Sequence, residues 1–194
     1  MPDFIYLASQ SPRRRQLLEQ IGVRHALLLP DGDEDAEALE AVLPGERPLA
    51  YVRRVTALKL DAADARMRRR GLPAAPVLCS DTTVALARTI LGKPADGAEA
   101  RRMLMALSGT THRVLTAVAV QRGSRARSRV TVSRVTFARL SARQIADYVD
   151  CGESTDKAGA YGIQGAAARF VRRIDGSYSG IMGLPLYETA RLLA

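Results

Sequence analysis

The chain has 194 residues, 47% of them hydrophobic and 25% charged, so it is long enough to bury a complete core in one domain. Its net charge of +9 raises nucleic acid as a partner, but only 5% of the residues are aromatic, which leaves few stacking platforms for single strands. Two distant cysteines and two isolated histidines exclude a zinc-type cluster and predict free thiols in a reducing compartment. No apolar stretch approaches the roughly 18 residues of a membrane span, so we expect a cytoplasmic protein without a membrane partner.

The chain opens with a short apolar run, residues 4–8, that predicts a buried strand. Ser11 is a favourable N-cap and Pro12 suits the first helical position, so a helix should follow at once and close at Gly22. The first turn of that helix carries three consecutive arginines, Arg13, Arg14 and Arg15. Free backbone N–H groups, the helix dipole and guanidinium groups would together form an anion receptor. A solvated surface face explains the same arginines equally well.

An acidic stretch over residues 30–37 precedes a long helical pattern from about Leu49 to Arg70. On that helix Lys59 shares a stripe with apolar residues, so it faces inward or along a cleft wall. Snorkelling of its ammonium group to water is the alternative, and the segment alone favours it.

Residues 76–86 form the most strand-like run, and Asp81 lies in its middle. Aspartate is depleted in strands and is costly to bury without a partner. A turn or a backbone hydrogen bond would explain it, and so would a carboxylate that faces a cleft for metal or water chemistry. Residues 89–91 should pair back as a hairpin and place Lys93 on a stiff Gly-Lys-Pro loop.

The second half predicts further alternation of helices and strands. Asp96 and Glu99 form a capping-box pattern for a helix through Leu107, and Ser141 begins another that runs to about Asp150. The remaining predicted elements are strands over 112–121, 130–140 and 169–174, a glycine-rich segment over 156–165 and a last helix after Pro185. Hairpins beside crossover helices indicate an α/β fold with a mixed sheet.

Charged and polar side chains collect at the predicted loops and strand ends: Ser9, Arg13, Arg14, Lys59, Asp81, Lys93, Asp156 and Lys157, with the Asp33-Glu34 turn nearby in sequence. Cations for phosphates together with carboxylates for a hard metal ion are typical of an enzyme that acts on a nucleoside triphosphate. Gly92-Lys93-Pro94 lacks the spacing and the hydroxyl of a Walker motif, which excludes a P-loop enzyme.

Six ordered segments resemble the Maf family of nucleoside triphosphate pyrophosphatases, from about Phe4 to Leu193. They are Leu7-Ala8-Ser9-Gln10-Ser11-Pro12-Arg13-Arg14, Ser80-Asp81-Thr82, Ile90-Leu91-Gly92-Lys93-Pro94, Leu107-Ser108-Gly109-Thr110-Thr111-His112, Asp156-Lys157-Ala158-Gly159-Ala160-Tyr161-Gly162-Ile163-Gln164-Gly165 and Gly183-Leu184-Pro185. The hairpin turn departs from the family pattern, since Ala87-Arg88 stands where a glycine is usual.

The resemblance implies one domain over residues 1–194. Its expected fold is a mixed twisted sheet with flanking helices and two lobes around a central cleft, similar to the inosine triphosphate pyrophosphatases. It also implies hydrolysis of a nucleoside triphosphate to the monophosphate and pyrophosphate with a divalent cation, Mg²⁺ or Mn²⁺, in the branch that prefers dTTP and UTP. A homodimer is the assembly that the resemblance suggests.

Residue roles follow from the matched motifs. Asp81 corresponds to the proton acceptor, and Arg13, Thr82 and Gln164 match the specificity positions. The residues expected to bind phosphate are Ser9, Arg14, Lys59, Lys93 and Lys157, and the expected metal carboxylates are Asp81 and Glu34. The Gln164 amide can read the O4 and N3–H edge of uracil or thymine, although a plain loop amide is the alternative.

A second hypothesis is a regulatory or nucleic-acid-binding protein, because the family is linked with arrest of cell division and a +9 chain can bind DNA without sequence specificity. The scarcity of aromatic residues does not favour it.

Overall fold

A computed structural model describes residues 2–32, 34–35 and 38–194 of the chain. Asp33 of the predicted acidic turn lies outside the described residues. The described strands are β1 (Ile5–Leu7), β2 (His25–Leu27), β3 (Val77–Leu86), β4 (Thr89–Leu91), β5 (Thr111–Arg122), β6 (Arg125–Phe137) and β7 (Val171–Asp175). The described α-helices are α1 (Pro12–Gln20), α2 (Pro48–Arg69), α3 (Gly97–Leu107), α4 (Ala142–Asp150), α5 (Tyr178–Met182) and α6 (Leu186–Leu193).

The strands form one mixed sheet in the order β2-β1-β3-β5-β6-β7, and β4 pairs with β3 outside that path. Strand β1 is parallel to β2 and β3, whereas β3, β5, β6 and β7 are antiparallel neighbours. The prediction of an α/β fold with a mixed sheet and flanking helices is therefore confirmed.

Helices cover both faces of the sheet. The long helix α2 packs on one face, where apolar side chains such as Val55 and Leu60 meet Cys79 and Ala85 of β3 through shared clusters. On the opposite face, α1 and α6 form one buried cluster, and α3 and α4 form another with the glycine-rich segment. Strand β3 lies between these layers with almost every residue buried.

One edge of β3 is interrupted, and this interruption creates the site. Strand β1 pairs with β3 only as far as Leu78, and β4 pairs with it only from Val84 onward. Between them, in the part of the chain that the structure describes, no strand pairs with that edge of β3 from Cys79 to Thr83. We call this stretch the open edge. Strand β5 pairs with the other side throughout.

Several local predictions hold and three need correction. Asp96 caps α3 and Ser141 caps α4 in a full capping box. Ser11 precedes α1 as its N-cap residue, but its side chain makes no capping bond, and its backbone N–H donates to Ser9 Oγ at 3.2 Å. Strand β6 begins at Arg125, not at residue 130, since its polar first residues pair with β5 in full. A short 3₁₀ helix occupies the start of the predicted strand at 169–174.

The described residues contain no helix that is both long and apolar enough to cross a membrane.

Candidate active site

Asp81 lies at the centre of the open edge and points toward α2. Side chains alternate along a strand, so Asp81 shares its face with Cys79, which packs under α2. Its Oδ1 accepts a hydrogen bond from Lys59 Nζ at 2.6 Å. The carboxylate is nearly buried, with 10% of the side chain exposed, and this ion pair is what makes its burial tolerable. Lys59 therefore binds a carboxylate within the site, and its ammonium group does not simply extend to water.

The same ammonium group binds a second acid. Lys59 Nζ also donates to Glu40 Oε1 at 2.7 Å, and Lys93 Nζ lies 3.3 Å from Glu40 Oε2. Four charges thus alternate in sign along the path Asp81, Lys59, Glu40 and Lys93. Burial raises the pKa of Glu40, but the charges of Lys59 and Lys93 outweigh that effect and lower it below its ordinary value.

Arg14 reaches the open edge from the other face of the sheet. Its Nε donates to the carbonyl oxygen of Gly183 at 2.8 Å and its Nη1 donates to Ser9 Oγ at 3.1 Å. A longer contact of 3.5 Å joins its Nη2 to Thr82 Oγ1. Burial lowers the pKa of Arg14, and the negative charge of Asp81 opposes that shift. The guanidinium is therefore fixed in orientation next to Thr82, which follows Asp81 on β3 and points to the opposite face of the sheet.

Thr82 and Ser9 serve that orientation in the described contacts. The Thr116 hydroxyl donates to the Gly180 carbonyl oxygen at 2.7 Å, so it can accept the proton of Thr82 Oγ1 at 3.1 Å, which fixes Thr82 from the strand side. Ser9 lies just after β1, where the strand ends and the chain turns into α1. Arg14, one of the three arginines in the first turn of that helix, therefore lies at the open edge and not on a remote surface.

The glycine-rich segment closes the site next to Lys93. The backbone N–H of Gly159 donates to the carbonyl oxygen of Gly92 at 3.0 Å, which links this segment to the lysine loop. Lys157 Nζ bonds to the Glu153 carbonyl oxygen at 2.7 Å and to Asp156 Oδ1 at 2.6 Å.

Gln164 lies beside Lys157, and the charge of Arg13 is felt by Asp156, the acid partner of Lys157. A methyl group placed on Gly162 would lie 3.0 Å from Lys157 Cε and 3.7 Å from Gln164 Nε2, so the two side chains flank one glycine. Gln164 itself is exposed. A hydrogen bond from Lys157 lowers the pKa of Asp156, and the charge of Arg13 contributes to that shift from α1.

Glu34 lies in a separate cluster of arginines. Its carboxylate accepts hydrogen bonds from Arg66 and from Arg69, and the bonds from Arg66 are the largest cause that holds its pKa at about 2. Arg66 follows Lys59 by seven residues, about 10 Å along the helix axis. The prediction that Glu34 and Asp81 hold a metal ion together is therefore wrong, because Arg66 and Arg69 of α2 hold the Glu34 carboxylate away from Asp81.

Glu40 is the acid that the sequence reasoning missed. It ends a 3₁₀ helix, Ala38–Glu40, in a segment without strong periodicity. The only usable signal was its closeness in sequence to the predicted acidic turn. Within residues 2–32, 34–35 and 38–194, no group of three or more His, Cys, Asp or Glu side chains has the geometry of a metal site.

Comparison with known proteins identifies the family of this chain. A family model described as Maf-like protein matches residues 4–194. The chain is 67% identical over 193 residues to the dTTP/UTP pyrophosphatase of Albidiferax ferrireducens, covering 100% of this chain and 96% of the relative. It is 66% identical to the dTTP/UTP pyrophosphatase of a Polaromonas species, covering 98% and 95% of the two chains. The Staphylococcus aureus Ham1 protein structure matches 69% of this chain and 70% of its own, with 14% identity and a TM-score of 0.42.

The family match spans both the open edge and the glycine-rich segment. The relatives cover the chain over nearly its whole length. The predicted resemblance is thereby confirmed, and the chain belongs to the Maf-like protein family.

Proposed function

We propose that this protein is a nucleoside triphosphate pyrophosphatase that hydrolyses dTTP and UTP to the monophosphate and pyrophosphate. The observation that carries the proposal is the nearly buried Asp81 carboxylate, held by Lys59 at the open edge that the fixed guanidinium of Arg14 reaches from the other face through Thr82. Relatives at 66–67% identity are dTTP/UTP pyrophosphatases, which supports the same substrates.

The chemistry is attack by water on the α-phosphorus. The water oxygen forms a bond to that phosphorus, the bond to the oxygen that bridges the α- and β-phosphates breaks, and pyrophosphate leaves with the electron pair. Asp81 orients the water and accepts its proton. Lys59 fixes the Asp81 carboxylate, so that the acceptor oxygen is already placed when the substrate arrives.

Positive groups on three sides would bind the phosphates. Arg14 approaches from α1, Lys59 and Lys93 from the α2 face, and Lys157 from the glycine-rich segment. The neutral Ser9 hydroxyl, just after β1, would add a hydrogen-bond donor. Charge that develops on the leaving pyrophosphate is stabilised most by donors that are already oriented. The bonds that Arg14 makes to Gly183 and Ser9 supply that orientation.

The site fits a hard divalent cation that arrives with the substrate. Mg²⁺ is commonly held by one or two carboxylates together with substrate phosphates, so a site of fewer than three protein acids is adequate. Asp81 would hold Mg²⁺ or Mn²⁺, which when bound would supply charge neutralisation on the phosphates and a more acidic water.

Arg13, Thr82 and Gln164 are the proposed specificity residues. The exposed Gln164 amide offers one acceptor and a donor pair, which match the O4 and N3–H edge of thymine and uracil. Thr82 would act through Arg14, which its hydroxyl contacts at 3.5 Å. Arg13 would approach the base or sugar from α1, on the side where its charge reaches Asp156.

The direct test is a product-resolved assay with Mg²⁺ or Mn²⁺ over a panel of nucleotides. We expect pyrophosphate, and no orthophosphate, from dTTP and UTP. Asp81→Asn should keep the fold and nucleotide binding but lose on the order of 10²- to 10⁴-fold in turnover. Asp175→Asn is the matched control, because Asp175 is an exposed strand acid in a weak pair with Arg134 at 3.4 Å. Full activity in Asp81→Asn would remove that residue from its role.

The arrangement of the whole molecule belongs to the same proposal. We propose that residues 1–194 act as one domain of two lobes around the open edge, that two copies form a homodimer and that the protein works in the cytoplasm. Both cysteines are free thiols, Cys79 buried and Cys151 exposed, which suits a reducing compartment.

A basic groove of about 400 Å³ between β6 and α6 favours the second candidate function, nucleic-acid binding. Arg127 and Arg129 line one wall, and Tyr187, the acidic Glu188 and Arg191 line the other, so three arginines face one acid. Arginines and an aromatic ring suit a phosphate backbone and a stacked base. Tight DNA binding without turnover of any nucleotide would favour this function over hydrolysis.

A further inference from the structure

The Glu40 carboxylate bridges the two lysines that the proposed function assigns to substrate phosphates. Its Oε1 lies 2.7 Å from Lys59 Nζ and its Oε2 lies 3.3 Å from Lys93 Nζ. Each ammonium group thus already binds an anionic oxygen. A bridging anion with two oxygens, each facing a different lysine, resembles the way a phosphate group would occupy the same pair.

The segment that carries Glu40 is anchored, so this contact belongs to the fold. The hydroxyl of Tyr51 on α2 donates to the Glu40 carbonyl oxygen at 2.9 Å. Arg54 of the same helix donates to the Ala41 carbonyl oxygen at 2.8 Å and pairs with Glu46 at 2.7 Å. Helix α2 therefore carries Lys59 and also fixes the backbone segment of Glu40, the more exposed of the two acids that bind Lys59.

The two acids on Lys59 differ in depth. The Asp81 side chain is 10% exposed and the Glu40 side chain is 31% exposed, while Lys93 beyond it is 53% exposed. A ligand that enters from solvent meets Lys93 and Glu40 before it reaches Asp81. A phosphate group that bridged the two ammonium groups would have to take the place of the Glu40 carboxylate, because its two oxygens already lie against Lys59 and Lys93.

We infer that Glu40 occupies, in the free protein, the position of a substrate phosphate between Lys59 and Lys93, and that the triphosphate must displace it. The inference rests on the proposed function, which makes these lysines phosphate ligands. In the free protein Glu40 keeps both ammonium groups oriented. Because the substrate must displace it, Glu40 also lowers the affinity of the site for the triphosphate. A ligand with many negative charges displaces it readily, and a monophosphate displaces it poorly.

The consequence is a preference for the substrate over its product. After hydrolysis, Glu40 returns to the lysines and competes with the remaining phosphates, which favours release. Removing its charge should therefore tighten the binding of small phosphates. Inorganic tripolyphosphate is the suitable probe, because it carries the phosphate chain and lacks the base, so that Gln164 and Arg13 play no part.

The experiment is calorimetric titration of tripolyphosphate into the full chain without metal, for the wild type, Glu40→Gln and Asp61→Asn. Asp61 is an exposed acid on α2 two residues after Lys59, so its variant changes the net charge equally. We expect Glu40→Gln to bind about tenfold more tightly than the wild type, and Asp61→Asn to bind with nearly unchanged affinity. Thermal melting shows that the variants are folded.

Three results would overturn the inference: unchanged binding by Glu40→Gln, weaker binding by Glu40→Gln, or equal tightening in both variants. Pyrophosphate release from dTTP by the wild type distinguishes failure of this inference from failure of the proposed function. If that release occurs while Glu40→Gln binds tripolyphosphate no more tightly, this inference fails and the proposed function stands. If the wild type neither hydrolyses dTTP nor binds tripolyphosphate, the proposed function fails, and the inference fails with it.

Discussion

Lys59 of α2 donates from its ammonium group to Asp81 Oδ1 of β3 across 2.6 Å. This bond joins the helix on one face of the sheet to the one stretch of β3 whose edge lacks a described neighbour. The nearly buried Asp81 carboxylate needs this ammonium group to offset its desolvation, although the ammonium group also binds Glu40. The two residues should therefore behave as a single functional unit.

A double-mutant cycle tests this unit. Lys59→Met should lower kcat/KM for dTTP by about 100-fold or more, because Asp81 loses its orientation and the phosphates lose a donor. The double variant Lys59→Met with Asp81→Asn should be only slightly worse than Asp81→Asn alone. Steady-state pyrophosphate release gives all four values. Losses that simply multiply would show that the two residues act independently.

Arg14→Lys should fold normally and lose about 100-fold in kcat/KM. Lysine keeps the charge, but it cannot contact Gly183 and Ser9 with the fixed fork of a guanidinium. Arg15→Lys on the same helical turn is the matched control, because Arg15 is exposed. We expect the control to keep the kinetics of the wild type. Equal losses in both variants would argue that only the overall charge of the helix matters.

Most elements were predictable because their signals are local. The apolar run of β3, the capping box at Ser141 and the proline start of α1 are each set by neighbours in sequence. The five-residue helix α5 was missed, since a helix this short depends on packing more than on periodicity. The early start of β6 was missed because its first residues are polar, and pairing with β5 over the hairpin overrides their low strand signal.

The site was only partly predictable, and the two acids near residue 40 show why. Glu34 lies in a conspicuous acidic turn, yet Arg66 and Arg69 bind it before it can reach Asp81. Glu40 lies in an unremarkable segment, yet Tyr51 and Arg54 of α2 place it on Lys59. The pairing of each acid with its base depends on contacts between residues that are more than ten positions apart in the sequence. No local sequence pattern encodes such contacts.

Gly159→Ala should destabilise the protein strongly and Gly152→Ala only mildly. Both glycines have positive φ, +71° and +81°, so each substitution costs about 1–2 kcal/mol of backbone strain. A methyl group at Gly159 would also lie 2.8 Å from Val84 Cγ1, whereas nothing described lies within 4 Å at Gly152. Overpacking against β3 should add about 1–3 kcal/mol for Gly159 alone. Urea denaturation measures both, and equal losses would contradict the packing argument.

The stability of the fold should fall with acid through His112. This ring is buried, its Nε2 lies 2.7 Å from the Tyr161 hydroxyl, and burial lowers its pKa from 6.5 to about 4. Below pH 6.5 the unfolded chain binds a proton that the folded chain refuses until about pH 4. The contribution of the neutral ring is therefore complete above pH 6.5 and is lost as the pH falls toward 4.

The expected change is roughly 3 kcal/mol in the free energy of unfolding between those limits. His112→Gln keeps an acceptor for Tyr161 and removes the titrating ring. The difference in the free energy of unfolding between wild type and variant therefore reports His112 alone, because the carboxylates titrate in both proteins. Urea denaturation at several pH values gives this difference. A difference that does not change with pH, or an NMR titration of the ring with an ordinary midpoint, would contradict the assignment.

Thr83→Val should stabilise the protein. The Thr83 hydroxyl is buried on β3, and among the residues that the structure describes it has no hydrogen-bond partner. Valine has nearly the same shape without the polar atom, so the substitution removes an uncompensated desolvation cost of about 1 kcal/mol. Thr116→Val on β5 is the matched control, because its buried hydroxyl donates to the Gly180 carbonyl oxygen at 2.7 Å. The denaturant midpoint should rise for Thr83→Val and fall for Thr116→Val. A fall in both would mean that the Thr83 hydroxyl has a hydrogen-bond partner in solution.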